Sequence, residues 1–232
     1  MFTFKTFSVD DSMTAMKVGT DGVLLGAWAA GGHRILDIGT GSGLIALMMA
    51  QRFSDATITA LDIDGDACRQ AENNVAASPF AERIEIICKA LQEYAASTKE
   101  ASFDAIVSNP PYFQKSLKSG NVKRTLARHT DTLSFRDLTA CSKHLLKDGG
   151  TLSLIGPESA REDIEAEAII NGFTVQRLLR IRTKKDKPVS RFMVELVKGF
   201  ATDYQEREEV LSNDSGGRSE WYHNLTKDFY IK

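Results

Sequence analysis

Apolar residues fall into short strand-like runs, and the stretches between those runs repeat them at helical spacing. Arg34–Ile38 (RILDI), Thr57–Leu61 (TITAL), Arg83–Ile87 (RIEII), Phe103–Val107 (FDAIV) and Thr151–Ile155 are rich in Ile, Leu, Val and Thr, as buried strands are. Between them LIALMMAQRF, Asp64–Ala77, Leu91–Ala96, Phe135–Leu146 and Glu158–Ile170 read as helices. Pro79, Asp148-Gly149-Gly150 and Gly172 are placed to stop three of them. This alternation predicts a mostly parallel sheet with helices on both faces. Val175–Ile181 and Arg191–Val197 differ, because they alternate in period 2 on either side of KKDKPV. They predict an antiparallel pair. The expected fold is α/β, a mostly parallel sheet of seven strands with a terminal antiparallel strand.

The flanks carry weaker signals. FTFKTF and Phe7–Val9 suggest a small strand or hairpin, and a turn at Gly19–Gly22 precedes a short apolar helix ending at Gly31-Gly32. From Thr202 the chain is polar and charged, then closes on WYHNLTKDFYIK, whose aromatics predict a short helix packed on the body. The expected organisation is one domain: a leader or cap over 1–32, a core over 33–200 and a tail over 201–232.

Composition adds mostly exclusions. With 232 residues, 42% hydrophobic and 26% charged, the chain reads as an ordinary globular protein able to bury a core without staples. Three widely spaced cysteines, Cys68, Cys88 and Cys141, form no CxxC, so neither a disulfide framework nor a metal site is expected. The N-terminus lacks the pattern of a signal peptide and no run has the length of a membrane span; with three free thiols, a reducing cytoplasm is the expected location. Net charge is −2, yet charge is uneven. Gln114–Arg128 holds five basic residues and no acid, and Arg177–Arg191 holds seven against Asp186 alone. Two cationic patches on an anionic body suggest contact with a polyanion; solvated loops are the plainer alternative.

Candidate chemistry sits after the first and fourth strands. Asp37-Ile38-Gly39-Thr40-Gly41-Ser42-Gly43 lies between a strand and a helix, where glycines permit close approach to a ligand. The dinucleotide spacing is imperfect, since Leu44 stands where a third glycine is needed and only Ala46 satisfies the looser form. Asp37 ends the strand, and a carboxylate there suits a cationic ligand and repels a pyrophosphate. Asp62, some twenty residues beyond the loop, can accept from both hydroxyls of a ribose. These residues, over roughly Arg34 to Val197, resemble the Rossmann-like class I methyltransferases that use S-adenosylmethionine, which implies that α/β fold. That resemblance implies cofactor contacts at Asp37, Gly39, Gly41, Gly43, Asp62, Ile63, Ala90, Leu91 and Asn109. Where many members carry an acid after the third strand, this chain has Cys88-Lys89-Ala90-Leu91-Gln92.

Asn109-Pro110-Pro111-Tyr112-Phe113 follows the fourth strand. The prolines remove two N–H donors and leave carbonyl acceptors. The Asn109 amide oxygen and the Pro110 carbonyl can take both hydrogens of a planar NH2 group, freeing its lone pair for attack on a methyl, while Tyr112 stacks on the ring. The tetrad resembles that of methyltransferases acting on adenine N6, guanine N2 or glutamine amides. The leader FSVDDSMTAMKVGTDGVLLGAW, the tetrad and the tail LTKDFYIK together resemble the bacterial tRNA1(Val) adenine-37 N6-methyltransferases. That resemblance implies Lys17, Thr20 and Asp21 in the cofactor pocket, tRNA as partner, and catalysis by Asn109, Pro110, Pro111 and Tyr112. Phe113 is read beside the target base, with a place in the core as the alternative. Lys115, Arg128, Arg180, Arg182, Lys184, Lys185, Lys187 and Arg191 are read on RNA phosphates. A monomer without metal is expected. A protein glutamine methyltransferase, an enzyme acting on an rRNA amine and a non-catalytic RNA chaperone stay open at this point.

Overall fold

A computed structural model describes residues 1–14, 16–111 and 133–231. Tyr112, Phe113, Lys115 and Arg128 lie outside the described residues. The elements are β1 (Phe2–Thr3), β2 (Ser8–Val9), α1 (Thr20–Trp28), β3 (Arg34–Ile38), α2 (Leu44–Arg52), β4 (Thr57–Asp62), α3 (Gly65–Ala76), β5 (Ile84–Cys88), α4 (Leu91–Ser97) and β6 (Phe103–Ser108). After the undescribed segment come α5 (Phe135–Leu145), β7 (Leu146–Pro157), α6 (Arg161–Ile170), β8 (Phe173–Arg182), β9 (Val189–Lys198), β10 (Gln205–Val210) and α7 (Glu220–Thr226).

The main sheet has the order β10-β8-β9-β7-β6-β3-β4-β5. Among its described strands β9 alone runs against the rest, paired antiparallel with both β7 and β8. The seven expected strands are present, and an eighth, β10, lies parallel to β8 at the edge. Its sequence QEREEV is mostly exposed and has no apolar alternation. Backbone pairing and a cross-strand ion pair from Arg182 to Glu208 hold it there, so hydrophobic pattern could not reveal it. Two boundaries also move. Thr20 to Gly22 belong to α1 rather than to a turn, and β7 starts at Leu146, taking in Asp148–Gly150.

Apolar clusters cover both faces. One side of the sheet is packed by α4, α5 and α6 through Leu91, Leu138 and Ile164. The other is packed by α1, α2, the β1–β2 hairpin and α7. In α2 every residue from Leu44 to Ala50 is buried, because it lies between the sheet and α1 and has no wet face. The chain ends meet on the same side. Phe4 stacks with Phe7 and Tyr230, and the Lys5 N–H donates to the Phe229 carbonyl at 2.8 Å.

Helix α1 walls the functional end of the sheet, and its position depends on a close approach to α2. A methyl group built at Gly26 would lie 2.7 Å from Met48 Sδ and 2.9 Å from Met48 Cβ, and Arg52 donates to the Gly26 and Ala29 carbonyls at 2.9 and 2.7 Å. Gly26→Ala should therefore destabilise the protein by about 1–3 kcal/mol, the range for overpacking a filled interface. A urea melt unchanged from wild type would show that α1 shifts freely.

Candidate active site

Strand order reverses between β3 and β6, and in open α/β sheets ligands bind at the carboxyl ends of strands beside such a switch point. Register makes the juxtaposition specific. Ile38 pairs with Leu61 of β4 on one side and with Ser108 of β6 on the other. The next residue on each strand, Gly39, Asp62 and Asn109, therefore forms one row at the mouth. The Ser108 hydroxyl donates to the Ile38 carbonyl at 2.8 Å and ties the two central strands at that level.

The glycine loop is held from several sides. Gly39, Gly41 and Gly43 have φ of +72°, +56° and +82°, a region costly for other residues. The Gly39 and Thr40 N–H groups donate to the Leu61 carbonyl at 2.8 and 3.0 Å. The Gly41 N–H donates to Asp62 Oδ2 at 2.8 Å. Methyl groups built at Gly39 or Gly41 would meet nothing within 4 Å, so these residues face open space where a ligand can approach. Gly43 instead faces Ala71 of α3 at 3.4 Å and serves packing.

A cleft of about 900 Å³ opens above this row. Its floor is Gly39, Thr40, Gly41 and Asp62, one wall is Ile63, Ala90 and Leu91, and another is Asn109 with Pro110 and Pro111. The leader covers it through Met16, Lys17, Thr20 and Asp21. Buried Asn74 of α3 pins that leader. It accepts from the Asp10 N–H at 2.9 Å and donates to the carbonyls of Asp10 and Ser42 at 2.7 and 2.8 Å. Lys17 Nζ turns back to the Asp11 carbonyl at 2.5 Å. Arg191, at the start of β9, reaches the cleft and pairs with Asp21.

A family of small methyltransferase domains matches residues 12–173. The chain belongs to this methyltransferase family. Its relatives include tRNA1(Val) (adenine(37)-N6)-methyltransferases. The one from Parabacteroides distasonis is 46% identical over all of this chain and 98% of its own. That from Aeromonas hydrophila is 42% identical over all of this chain and 97% of its own. A crystal structure of a predicted O-methyltransferase from Agrobacterium tumefaciens superposes with a TM-score of 0.69 at 21% identity, over 90% of this chain and 96% of that one. That likeness shows the class I methyltransferase fold.

Members of this methyltransferase family use S-adenosylmethionine, and the cleft suits that molecule. It offers a carboxylate, Asp62, whose two oxygens each take one backbone N–H, from Gly41 and Asp64, and keep further lone pairs for hydroxyl donors. Ile63 is 62% exposed although apolar, and with Leu91 it supplies a surface for a flat ring. Space opens over Gly39 and Gly41 where side chains would intrude.

Several expected contacts fall elsewhere. Asp37 does not line the cleft; it is fully buried. Its Oδ2 accepts from the Thr40 hydroxyl at 2.7 Å and the Ala46 N–H at 3.1 Å, so it braces the loop and the start of α2 from below. Gly43 is likewise absent from the lining. Arg180 is tied to Glu158 at 2.9 Å and Arg182 to Glu208, so both guanidiniums already have carboxylate partners. Lys184, Lys185 and Lys187 stand exposed on the loop between β8 and β9, at the same end of the sheet as the cleft. Met16 lines the cleft without having been foreseen; the available signal was its place directly before Lys17 in the leader.

Burial pushes the Asp37 carboxyl up to about 7, against the two hydrogen bonds it accepts, with the nearby Asp62 charge adding to the rise. A raised folded-state value means that the native state holds an extra proton between roughly pH 4 and 7, so this group's contribution to stability is lost as pH rises through that window. Asp37→Asn keeps an oxygen for Thr40 and Ala46 and removes the ionisation. Urea melts from pH 5 to pH 8 should show the wild type losing stability relative to Asp37→Asn. Parallel curves would mean that Asp37 titrates at its ordinary value.

Proposed function

We propose that the protein transfers a methyl group to the N6 amine of an adenine in tRNA, namely adenine 37 of tRNA1(Val). The observation that carries this reading is the β3–β6 register, which sets the glycine loop and Asn109 side by side at the switch point. The full-length likeness to enzymes named for that reaction supports the choice of acceptor. S-adenosylmethionine, when bound, supplies an electrophilic methyl on a sulfonium.

This chain's own residues then have separable tasks. Asp62 accepts from the ribose hydroxyls, Ile63, Ala90 and Leu91 flank the adenine ring of the cofactor, and Gly39 and Gly41 leave room for its backbone. Lys17, Thr20 and Asp21 close the pocket from the leader, with Arg191 fixing Asp21. Asn109 Oδ1 and the Pro110 carbonyl accept the two hydrogens of the target amine. Pro110 is buried and Pro111 exposed, and their rings lock φ at both positions and remove both N–H donors. Holding both hydrogens favours a pyramidal nitrogen and frees its lone pair. The methylated amine is acidic and yields a proton to water. Tyr112 and Phe113 take the stacking role on the flipped base, which is inexpensive to extrude from a single-stranded loop.

The lysines of the β8–β9 loop track phosphates beside the cleft, and Lys115 and Arg128 are assigned the same kind of partner. Arg180 and Arg182 act through their carboxylate partners as supports for that loop. The protein works as one methyltransferase domain, in the cytoplasm where tRNA resides, and as a monomer, since one chain supplies every described wall of the cleft.

Two outcomes check this. Interactions made chiefly in the transition state appear in the rate rather than in binding. Asn109→Ala should slow single-turnover transfer by about 10²–10³-fold, as for loss of one preorganised polar partner, with cofactor affinity kept. The readout is label from methyl-labelled S-adenosylmethionine recovered as N6-methyladenosine in tRNA. Label in a release factor or in rRNA would move the acceptor to the rival readings. Replacing Lys184, Lys185 and Lys187 together by glutamine should flatten the salt dependence of tRNA binding by about 2–3 in logarithmic slope. An unchanged slope would make that loop a solvated turn.

A further inference from the structure

The target amine requires that Asn109 present its oxygen, not its nitrogen, to the acceptor. The two ends of an amide have nearly the same shape, and only their hydrogen-bond partners tell them apart. The Asn109 side chain is polar and half-buried at the end of β6, with apolar Pro110 and Pro111 following it. Among the described residues its Nδ2 has a single partner, the thioether of Met16, which it approaches at 3.5 Å. A thioether sulfur is an acceptor only. Rotating the amide by half a turn would set Oδ1 against the sulfur, lone pair against lone pair, and turn two N–H groups toward the amine, where they repel its hydrogens.

Met16 is held where it can do this. It lies on the leader directly before Lys17. The Thr14 hydroxyl donates to the Met16 carbonyl at 2.8 Å. Upstream, Gln70 of α3 accepts from the Met13 N–H at 3.1 Å, and Asn74 grips Asp10. Downstream, Asp11 accepts from the Val18 N–H at 2.8 Å. The side chain is 50% exposed, which is more than packing alone would favour for a methionine.

We infer that Met16 is a positioning residue: its sulfur fixes the Asn109 amide with Oδ1 toward the acceptor, and the leader thereby takes part in catalysis across the cleft. The inference rests on the proposed role of Asn109. Its test uses the full chain, methyl-labelled S-adenosylmethionine and tRNA under single-turnover conditions. Met16→Leu keeps the bulk and removes the acceptor. It should slow transfer by about 3- to 10-fold, the size of one neutral hydrogen bond expressed as a rate. The apparent KM for tRNA and the affinity for S-adenosylhomocysteine should stay within about twofold of wild type, which also reports that the variant is folded. Met16→Gln, whose side-chain oxygen restores an acceptor, should recover most of the lost rate. In the Asn109→Ala background Met16→Leu should have no further effect, because the group it positions is gone.

A full Met16→Leu loss persisting in the Asn109→Ala background would overturn the inference and make Met16 a packing residue. So would a loss confined to cofactor affinity, a wild-type rate for Met16→Leu, or a Met16→Gln variant as slow as Met16→Leu. The acceptor reading fails separately, through the identity of the labelled product. If the label were in protein, the same four-variant cycle on that acceptor would decide the role of Met16.

Discussion

Three glycines with positive φ in five residues form a loop that costs conformational entropy and has few contacts of its own. What gives it one shape is a pair of carboxylates on neighbouring strands. Asp62 grips the Gly41 N–H from the side, and Asp37 grips Thr40 and the first turn of α2 from beneath. The floor of the cleft, the direction of α2 and the space left for a ligand follow from those bonds. Asp37 achieves this at a cost, since a buried carboxylate near another is disfavoured in its charged form. A carboxylate retained under that penalty contributes geometry that an apolar residue of similar size would not.

The cleft is completed by chain remote in sequence from the sheet's core. The leader crosses the strand ends, held by Gln70 and Asn74 of α3. The hairpin that begins it is clamped by the stacking of Phe4 on Tyr230, which follows α7 and packs on its Tyr222. A third tie is the Arg177 guanidinium, which lies 4.3 Å from the Trp28 ring centre and pairs with Glu195, a buried acid in the middle of β9. The end of α1 is thus tied to β8 and β9, while Arg191 ties its start to the same hairpin. The antiparallel addition that distinguishes this sheet is therefore also the support for the leader's helix.

Much of this was legible in the sequence because it depends on local periodicity. The runs RILDI and FDAIV are near-continuous because their strands are buried on both faces. The glycine loop, Asp62 and the Asn-Pro-Pro segment announce themselves by spacing after strands. The illegible parts depend on partners. QEREEV forms an edge strand because β8 offers it backbone groups and arginines, and no pattern within the six residues says so. Asp37 looked like a ligand contact because a strand-end carboxylate beside a glycine loop faces the cleft in a one-dimensional reading. In three dimensions α2 folds its first turn over it, and the Ala46 N–H takes the oxygen. Met16 carries only a weak signal, its place beside Lys17, because its role lies in a single atom opposite Asn109, 93 residues away.

The same distinction bears on the basic window from Arg177 to Arg191. Counted along the chain, its seven cations look equivalent. In the fold they separate by reach. Arg177, Arg180, Arg182 and Arg191 have their guanidiniums against Glu195, Glu158, Glu208 and Asp21; of these four, the Arg177–Glu195 pair uses both carboxylate oxygens, the geometry that favours arginine over lysine. Lys184 and Lys185 stand exposed at the hairpin tip, as does Lys187, whose ammonium lies 4.0 Å from the exposed Asp186 carboxylate. Neutralised pairs contribute little to the long-range field, whereas exposed ammonium groups keep their counterions and release them on meeting a phosphate. The arginines therefore brace the hairpin, and the lysines carry its outward-facing charge. The side-chain chemistry of the two residue types already contains that division of labour, although the charge count does not.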